Sequence, residues 1–235
     1  VKKSAHDNIL AAMDVDVWVS RARVKSKEKS KQLLPQHEEI IDIDMVWKTL
    51  REEVAVCTRC PLHKTRTQTV FGTGNIHADL MFIGEAPGAQ EDKQGEPFVG
   101  RAGQLLDSML HSIGFNRQTI YIANILKSRP PNNRDPLPEE VAACTPFLTR
   151  QIALIQPKLL VALGRIAAHF LLNTTTPLSS LRGRTFNYGQ SNIPLLVMYH
   201  PAYLLRSPQN KSKAYEDLCV VKATLEKLLI VKDTP

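Results

Sequence analysis

The chain has 235 residues, with 23% charged and 43% hydrophobic side chains, a balance that suits one soluble domain with a real core and a tail. Its net charge of +7 and pI near 9.3 favour polyanionic partners such as nucleic acid, while an aromatic content of 6% argues against an aromatic-rich platform that grips single strands by stacking alone. No run approaches the ~18 apolar residues of a membrane span, and the N-terminal residues lack the long apolar stretch of a secretory leader. A cytoplasmic protein with no membrane partner is the expectation.

Residues 1–45 read as a partly disordered extension. Arg21–Lys31 carries six Lys/Arg and one Glu, and Glu38, Glu39, Asp42 and Asp44 then reverse the sign. Such a stretch buries little. Within it Asp7–Met13 suits one or two helical turns. Val15–Val19 alternates like a strand, and this short apolar patch reads as part of a partly ordered tail, with docking on the body or on a partner as the other reading. From Val46 onward, as one domain over 46–235, strand and helix alternate. Asp79–Glu85, Thr119–Leu126, Lys158–Gly164 and Ile193–His200 each carry a short apolar, β-rich run. Gly103–Ile113, Pro138–Ile155, Arg165–Leu172 and Lys211–Val231 show helical spacing. Pro138 followed by two glutamates suits a first helical turn, and Pro146 predicts a kink or a restart. Alternating β and α with right-handed crossovers implies an α/β fold, a parallel sheet with helices on both faces.

Four cysteines occur: Cys57, Cys60, Cys144 and Cys219. Without a secretory leader a disulfide framework is not expected. Cys57-Thr58-Arg59-Cys60 is a C-x-x-C pair, a pattern that binds metal, binds iron–sulfur clusters or does thiol redox chemistry. Redox pairs usually open a helix after a strand. Here a helical pattern precedes the pair and Pro61-Leu62-His63-Lys64 follows, so ligation is the favoured reading.

The chemistry concentrates where apolar runs end. Gly84-Glu85-Ala86-Pro87-Gly88 follows the first run, and its glycines and proline fix a tight turn that lets backbone approach a ligand; Glu85 then sends a carboxylate into a crevice, a structural turn with a solvated Glu being the other reading. Glu91, Asp92 and Phe98 follow in one glycine-rich loop, with Phe98 either a core plug or a stacking face for a planar ligand. Asn124, a polar amide at the end of an apolar strand, is costly to bury without a partner and offers both a donor and an acceptor for reading a base edge; capping of neighbouring backbone is the other reading. The proline-stiffened loop Lys127–Pro136 places Arg129 and Arg134 as phosphate contacts or as a solvated connection. His200-Pro201 closes the last strand, with a core histidine as one reading, and Leu204-Leu205-Arg206 sets an apolar tip beside a cation, the arrangement with which base-extruding proteins invade a duplex. In an open parallel sheet, groups at strand carboxyl ends share one crevice.

Gly84–Gly88, Glu91-Asp92-x-x-Gly95-x-Pro97-Phe98-Val99-Gly100, Tyr121-Ile122-x-Asn124-Ile125, Arg129-Pro130-Pro131-x-Asn133-Arg134 and His200–Arg206 together resemble the family 4, iron–sulfur uracil-DNA glycosylases over about residues 46–230. The resemblance implies a three-layer α/β/α sandwich around a four-stranded parallel sheet. It implies cleavage of the bond between uracil and deoxyribose in single- or double-stranded DNA, by a monomer, leaving an abasic site. It makes Glu85, Asn124 and His200 catalytic: Glu85 with the attacking water, Asn124 reading the pairing edge of the base, and His200 donating to the uracil carbonyl. Gly84, Ala86, Glu91 and Phe98 complete the uracil pocket, with Phe98 stacking on the base and Glu91 crowding out a thymine methyl. Arg129, Arg134, Leu204, Leu205 and Arg206 fall to DNA. No metal is needed for the bond cleavage itself.

Two departures stand out. Better-known members of the superfamily carry Asp where this motif has Ala86. The family holds a [4Fe–4S] cluster with four cysteines, and Cys57, Cys60 and Cys144 fill three of those positions while the fourth is Ser128, a hard oxygen beside three thiolates. Cys219, among Leu218, Val220 and Val221, reads as a core cysteine rather than a substitute ligand. Two other readings are a non-catalytic DNA-binding relative and one that traps uracil covalently. The latter would carry Gln in the first motif and an extra basic loop with a nucleophilic His, where this chain has Glu85-Ala86 and no such loop.

Overall fold

The structure, a computed structural model, describes residues 42–230. The basic run, the Asp7–Met13 turns and the Val15–Val19 patch lie outside the described residues. The last four residues of the expected extension lie within them and already lead into the first helix.

Helix α1 (Ile43–Ala55) is capped by Asp42, whose carboxylate accepts from the backbone N–H groups of Asp44 and Met45. Then come β1 (Thr73–Gly74), β2 (Leu80–Gly84), α2 (Ala89–Gln94), α3 (Arg101–His111), β3 (Tyr121–Asn124), α4 (Pro138–Ile155), β4 (Leu159–Leu163), α5 (Arg165–Leu172), α6 (Leu178–Leu181), β5 (Phe186–Tyr188), β6 (Ile193–Met198), α7 (Pro201–Arg206) and α8 (Lys211–Ile230).

The sheet has six strands in the order β1-β3-β2-β4-β6-β5, not four. Its four central strands β3-β2-β4-β6 run parallel, as expected. The two extra strands pair antiparallel at the edges, and with two and three residues they are too short for alternation to reveal them in the sequence.

Alternation along each central strand builds the layers. Met81, Ile83, Tyr121, Ala123, Leu160, Ala162, Leu195 and Val197 pack with apolar residues of α1, α4 and α5. Leu80, Phe82, Ile122, Leu159, Val161, Leu163, Leu196 and Met198 pack with those of α3, α7 and α8. These two cores, one on each face, make the three-layer sandwich and explain why every residue of β2, β3 and β4 is buried.

The restart expected at Pro146 does not occur. Helix α4 continues through it because Pro146 and Ala142 both face solvent, where the Ala142 carbonyl that loses its donor is open to water. Cys219 is not a core residue either: the buried stripe of α8 is Ala214, Leu218, Val221 and Leu225, which leaves Cys219 about 100° off it and exposed. No helix among the described residues is long and apolar enough to cross a membrane.

From β2 the chain moves outward to β3, then returns to the other side of β2 for β4 and β6. The order therefore reverses between β2 and β4, and a crevice opens there beyond the strand carboxyl ends.

Candidate active site

The four parallel strands deliver their terminal residues to that crevice. Glu85 follows β2, Asn124 ends β3, Gly164 follows β4 and His200 follows β6. A cavity of about 430 Å³ opens there, lined by Glu85, Ala86, Glu91, Phe98, Asn124 and His200. Arg134, Asp135, Tyr203 and Arg206 form part of its rim.

Asn124 is 2% exposed and its side-chain oxygen Oδ1 has no hydrogen-bond partner. The capping alternative for this amide is thereby set aside. Buried polar atoms are nearly always paired, so an orphaned acceptor on a residue that lines a cavity is an exception that calls for an explanation. Gly84 makes the arrangement possible: a Cβ there would lie 2.4 Å from Asn124 Oδ1 and 2.7 Å from Phe98 Cζ.

Phe98 has a left-handed backbone, φ 56°, which a side chain other than glycine adopts only under constraint. The constraint comes from three sides. Glu91 Oε1 accepts from the N–H groups of Val99 (3.0 Å) and Gly100 (2.9 Å). Arg117 donates to the Phe98 carbonyl and to that of Pro97 (2.9 Å), and pairs with Asp107. Gly103 lets α3 pass close behind, where a Cβ would sit 1.6 Å from the Phe98 carbonyl oxygen. The Phe98 ring is thus both a core residue and a cavity wall, 5.5 Å from the His200 ring at a 31° tilt.

His200 caps the N-terminus of α7, and its Nδ1 accepts from the Ala202 N–H at 3.1 Å. With Nδ1 an acceptor, the ring proton resides on Nε2. Burial, with Arg206 adding and Glu91 opposing, lowers the group to about 4. The ring is a neutral donor at physiological pH. Burial, chiefly, raises Glu85 to about 7; Asp135 raises it further and Arg165 opposes.

A model of the uracil DNA glycosylase superfamily matches residues 71–222, and so covers every one of these cavity residues. The chain belongs to that superfamily, in its type-4 branch. It is 46% identical over 171 residues to a type-4 uracil-DNA glycosylase of Archaeoglobus fulgidus, covering 70% of this chain and 86% of the relative. A type-4 uracil-DNA glycosylase of Thermotoga maritima is 44% identical over 75% of this chain and 93% of its own length. A type-5 uracil-DNA glycosylase of Thermus thermophilus is 33% identical over 44% of this chain and 53% of its own.

One residue expected at the DNA face lies elsewhere. Leu204 is fully buried between α3 and α8 and cannot be an apolar tip; Leu205 is half-buried and Arg206 exposed. The turn of α7 that presents His200 is what rotates Leu204 inward. Arg134 is held by both oxygens of the buried Glu140 (2.8 and 2.6 Å), and Arg129 by Asn133 (2.8 Å), so both brace the loop they sit on. The sequence pattern assigns no role to Arg117 or to Tyr203. Arg117 sits in an ordinary polar loop, and only its tertiary partners mark it.

The cysteine corner lies apart from the cavity. Burial, chiefly, pushes the Cys60 and Cys144 thiols up; Cys57 adds to both and Cys60 adds to Cys144, so the three thiols are neighbours. Among the described residues no three His, Cys, Asp or Glu could share one metal ion. Buried Ser128 accepts from Arg66 at 3.0 Å, and the same guanidinium donates to the Cys57 carbonyl at 2.8 Å. Three thiols suit a cluster of the family's kind, but the fourth corner is an alcohol engaged by a cation. A four-thiolate cluster does not fit this chain.

Proposed function

We infer that this chain is a repair glycosylase that hydrolyses the N-glycosidic bond of deoxyuridine in DNA, releasing uracil and leaving an abasic site. One observation carries the reading: Asn124, whose buried Oδ1 has no hydrogen-bond partner, lines one cavity together with a neutral histidine and a raised carboxyl.

Uracil presents N3–H and O4 on its pairing edge, so Asn124 accepts from the first and donates to the second. Cytosine inverts both groups and is refused. The base reaches this depth only when extruded from its strand, and Phe98 gives it a flat wall. As the C1′–N1 bond breaks, its electron pair leaves with the base and charge gathers on the uracil oxygens. His200 Nε2–H donates to that charge without carrying a proton too acidic to keep. Glu85, ionised in about half of molecules near pH 7, takes a proton from the water whose oxygen bonds to C1′. Glu91 narrows the pocket beside C5 and holds the Phe98 loop.

Arg206, on the rim, and its half-buried neighbour Leu205 are the DNA-facing residues of the final motif. Arg129 and Arg134 stiffen the loop that passes along the strand. An iron–sulfur group would be held by Cys57, Cys60 and Cys144; it would tie two segments together and supply no reacting group. Ser128→Cys restores the fourth thiolate and is expected to raise iron content with little change in turnover. Iron-free, colourless protein from both forms would show that this chain carries no cluster.

The deciding assay is abasic-site formation on uracil-containing oligonucleotides, single- and double-stranded, without added metal. Asn124→Asp should admit cytosine, because a carboxylate accepts from its exocyclic amine. Intact uracil-DNA across salt and pH would refute the glycosylase reading.

A further inference from the structure

Directly behind Asn124 lies a group the reaction does not use. Lys127 is 2% exposed, and its ammonium has two acceptors: the Asn124 backbone carbonyl at 2.8 Å and Gln151 Oε1 at 2.6 Å. Neither is a carboxylate. Gln151, on α4 and fully buried, is itself fixed, its amide donating to the Phe71 carbonyl at 2.9 Å. Burying a lysine amine on two neutral acceptors is costly, and a methionine of similar length would fill the space at less cost. A polar group buried in a core at such a cost marks a functional constraint.

The constraint is visible in the backbone. The β2–β3 ladder runs on past Asn124, with the Ile125 and Leu126 N–H groups donating to the carbonyls of Gly84 and Glu85, each at 3.0 Å. These bonds fix one side of the Asn124–Ile125 peptide, and Lys127 fixes its carbonyl. The peptide in turn sets the direction in which the Asn124 side chain leaves the strand.

We propose that Lys127, held by Gln151, is a positioning residue that aims the Asn124 amide at the base edge and so sets the rate and the uracil-over-cytosine discrimination of excision. The proposal rests on the glycosylase reading above. Lys127 touches no reacting atom; it acts through Asn124.

The test is a double-mutant cycle on the full chain, with single-turnover uracil release and oligonucleotide affinity measured for each form. Lys127→Met is expected to slow release about tenfold or more while leaving DNA affinity within about threefold, and to raise the relative release of cytosine. In an Asn124→Ala background the same substitution should change the rate by less than about twofold, because the group through which it acts is gone. An equal fold-loss in both backgrounds, or unchanged release from Lys127→Met alone, would overturn the proposal. Should Lys127→Met fail to fold, Gln151→Met loosens the same ammonium from its far side, and its cycle with Asn124→Ala decides on the same criterion. A parent protein that releases no uracil would refute the glycosylase reading instead, and is detected before any variant is made.

Discussion

Uracil release is expected to fall about tenfold for each pH unit below about 7. Glu85 is held there mainly by burial, with Asp135 pushing the same way and Arg165 pulling back. If the ionised carboxylate takes the proton from water, the competent fraction at pH 5 is about 1%. His200 adds no second limb over that interval, because its ring stays neutral until about 4. The assay is single-turnover release from a uracil oligonucleotide at saturating protein, from pH 5 to 9 at fixed ionic strength. Glu85→Gln should lower the plateau and remove the limb. A flat profile from pH 8 down to 5, or a limb that survives in Glu85→Gln, refutes the assignment. Stability gives an independent reading of the same group. A carboxyl raised on folding from 4.5 to about 7 contributes stability that is fully present below 4.5 and is lost as pH rises through 7. Glu85→Gln should therefore melt higher than the parent at pH 8 and nearly level with it at pH 4.5. Equal melting shifts at both pH values would mean that the carboxyl is not raised.

His200→Ala should slow release by roughly 100- to 1,000-fold, about 2.7–4 kcal/mol, with DNA affinity nearly unchanged; equal losses in rate and affinity would make His200 a structural cap of α7. Gly84→Ala places a methyl 2.4 Å from Asn124 Oδ1 and 2.7 Å from the Phe98 ring, so activity should drop by tenfold or more and stability by about 1–3 kcal/mol, read by release and by thermal melting. Arg117→Met removes the donors that hold the Pro97 and Phe98 carbonyls and should cost about 1–3 kcal/mol, with KM rising more than kcat falls; an unchanged KM would mean that Phe98 keeps its place without Arg117.

Much of the fold and part of the site were written in the chain itself. Four short apolar runs bounded by polar or glycine-rich turns fixed four parallel strands, and α4 and α5 begin and end where their spacing said they would. Glu85, Asn124 and His200 were legible because each ends such a run, and topology alone brings strand ends together. Periodicity is a local property, so it survives in a bare sequence. What it could not carry were contacts that close over long separations. Glu91 reads as a pocket wall, yet only the folded loop shows its carboxylate fastened to the N–H groups of Val99 and Gly100. Leu204 reads as an exposed tip beside Arg206; the short turn of α7 rotates it into the core between α3 and α8. The edge strands β1 and β5 exist because a neighbour offers unpaired backbone, not because their residues alternate. Lys127 reads as the first cation of a surface loop, and it is buried against Gln151, twenty-four residues on, because closing the β3–α4 connection leaves its ammonium no route to water.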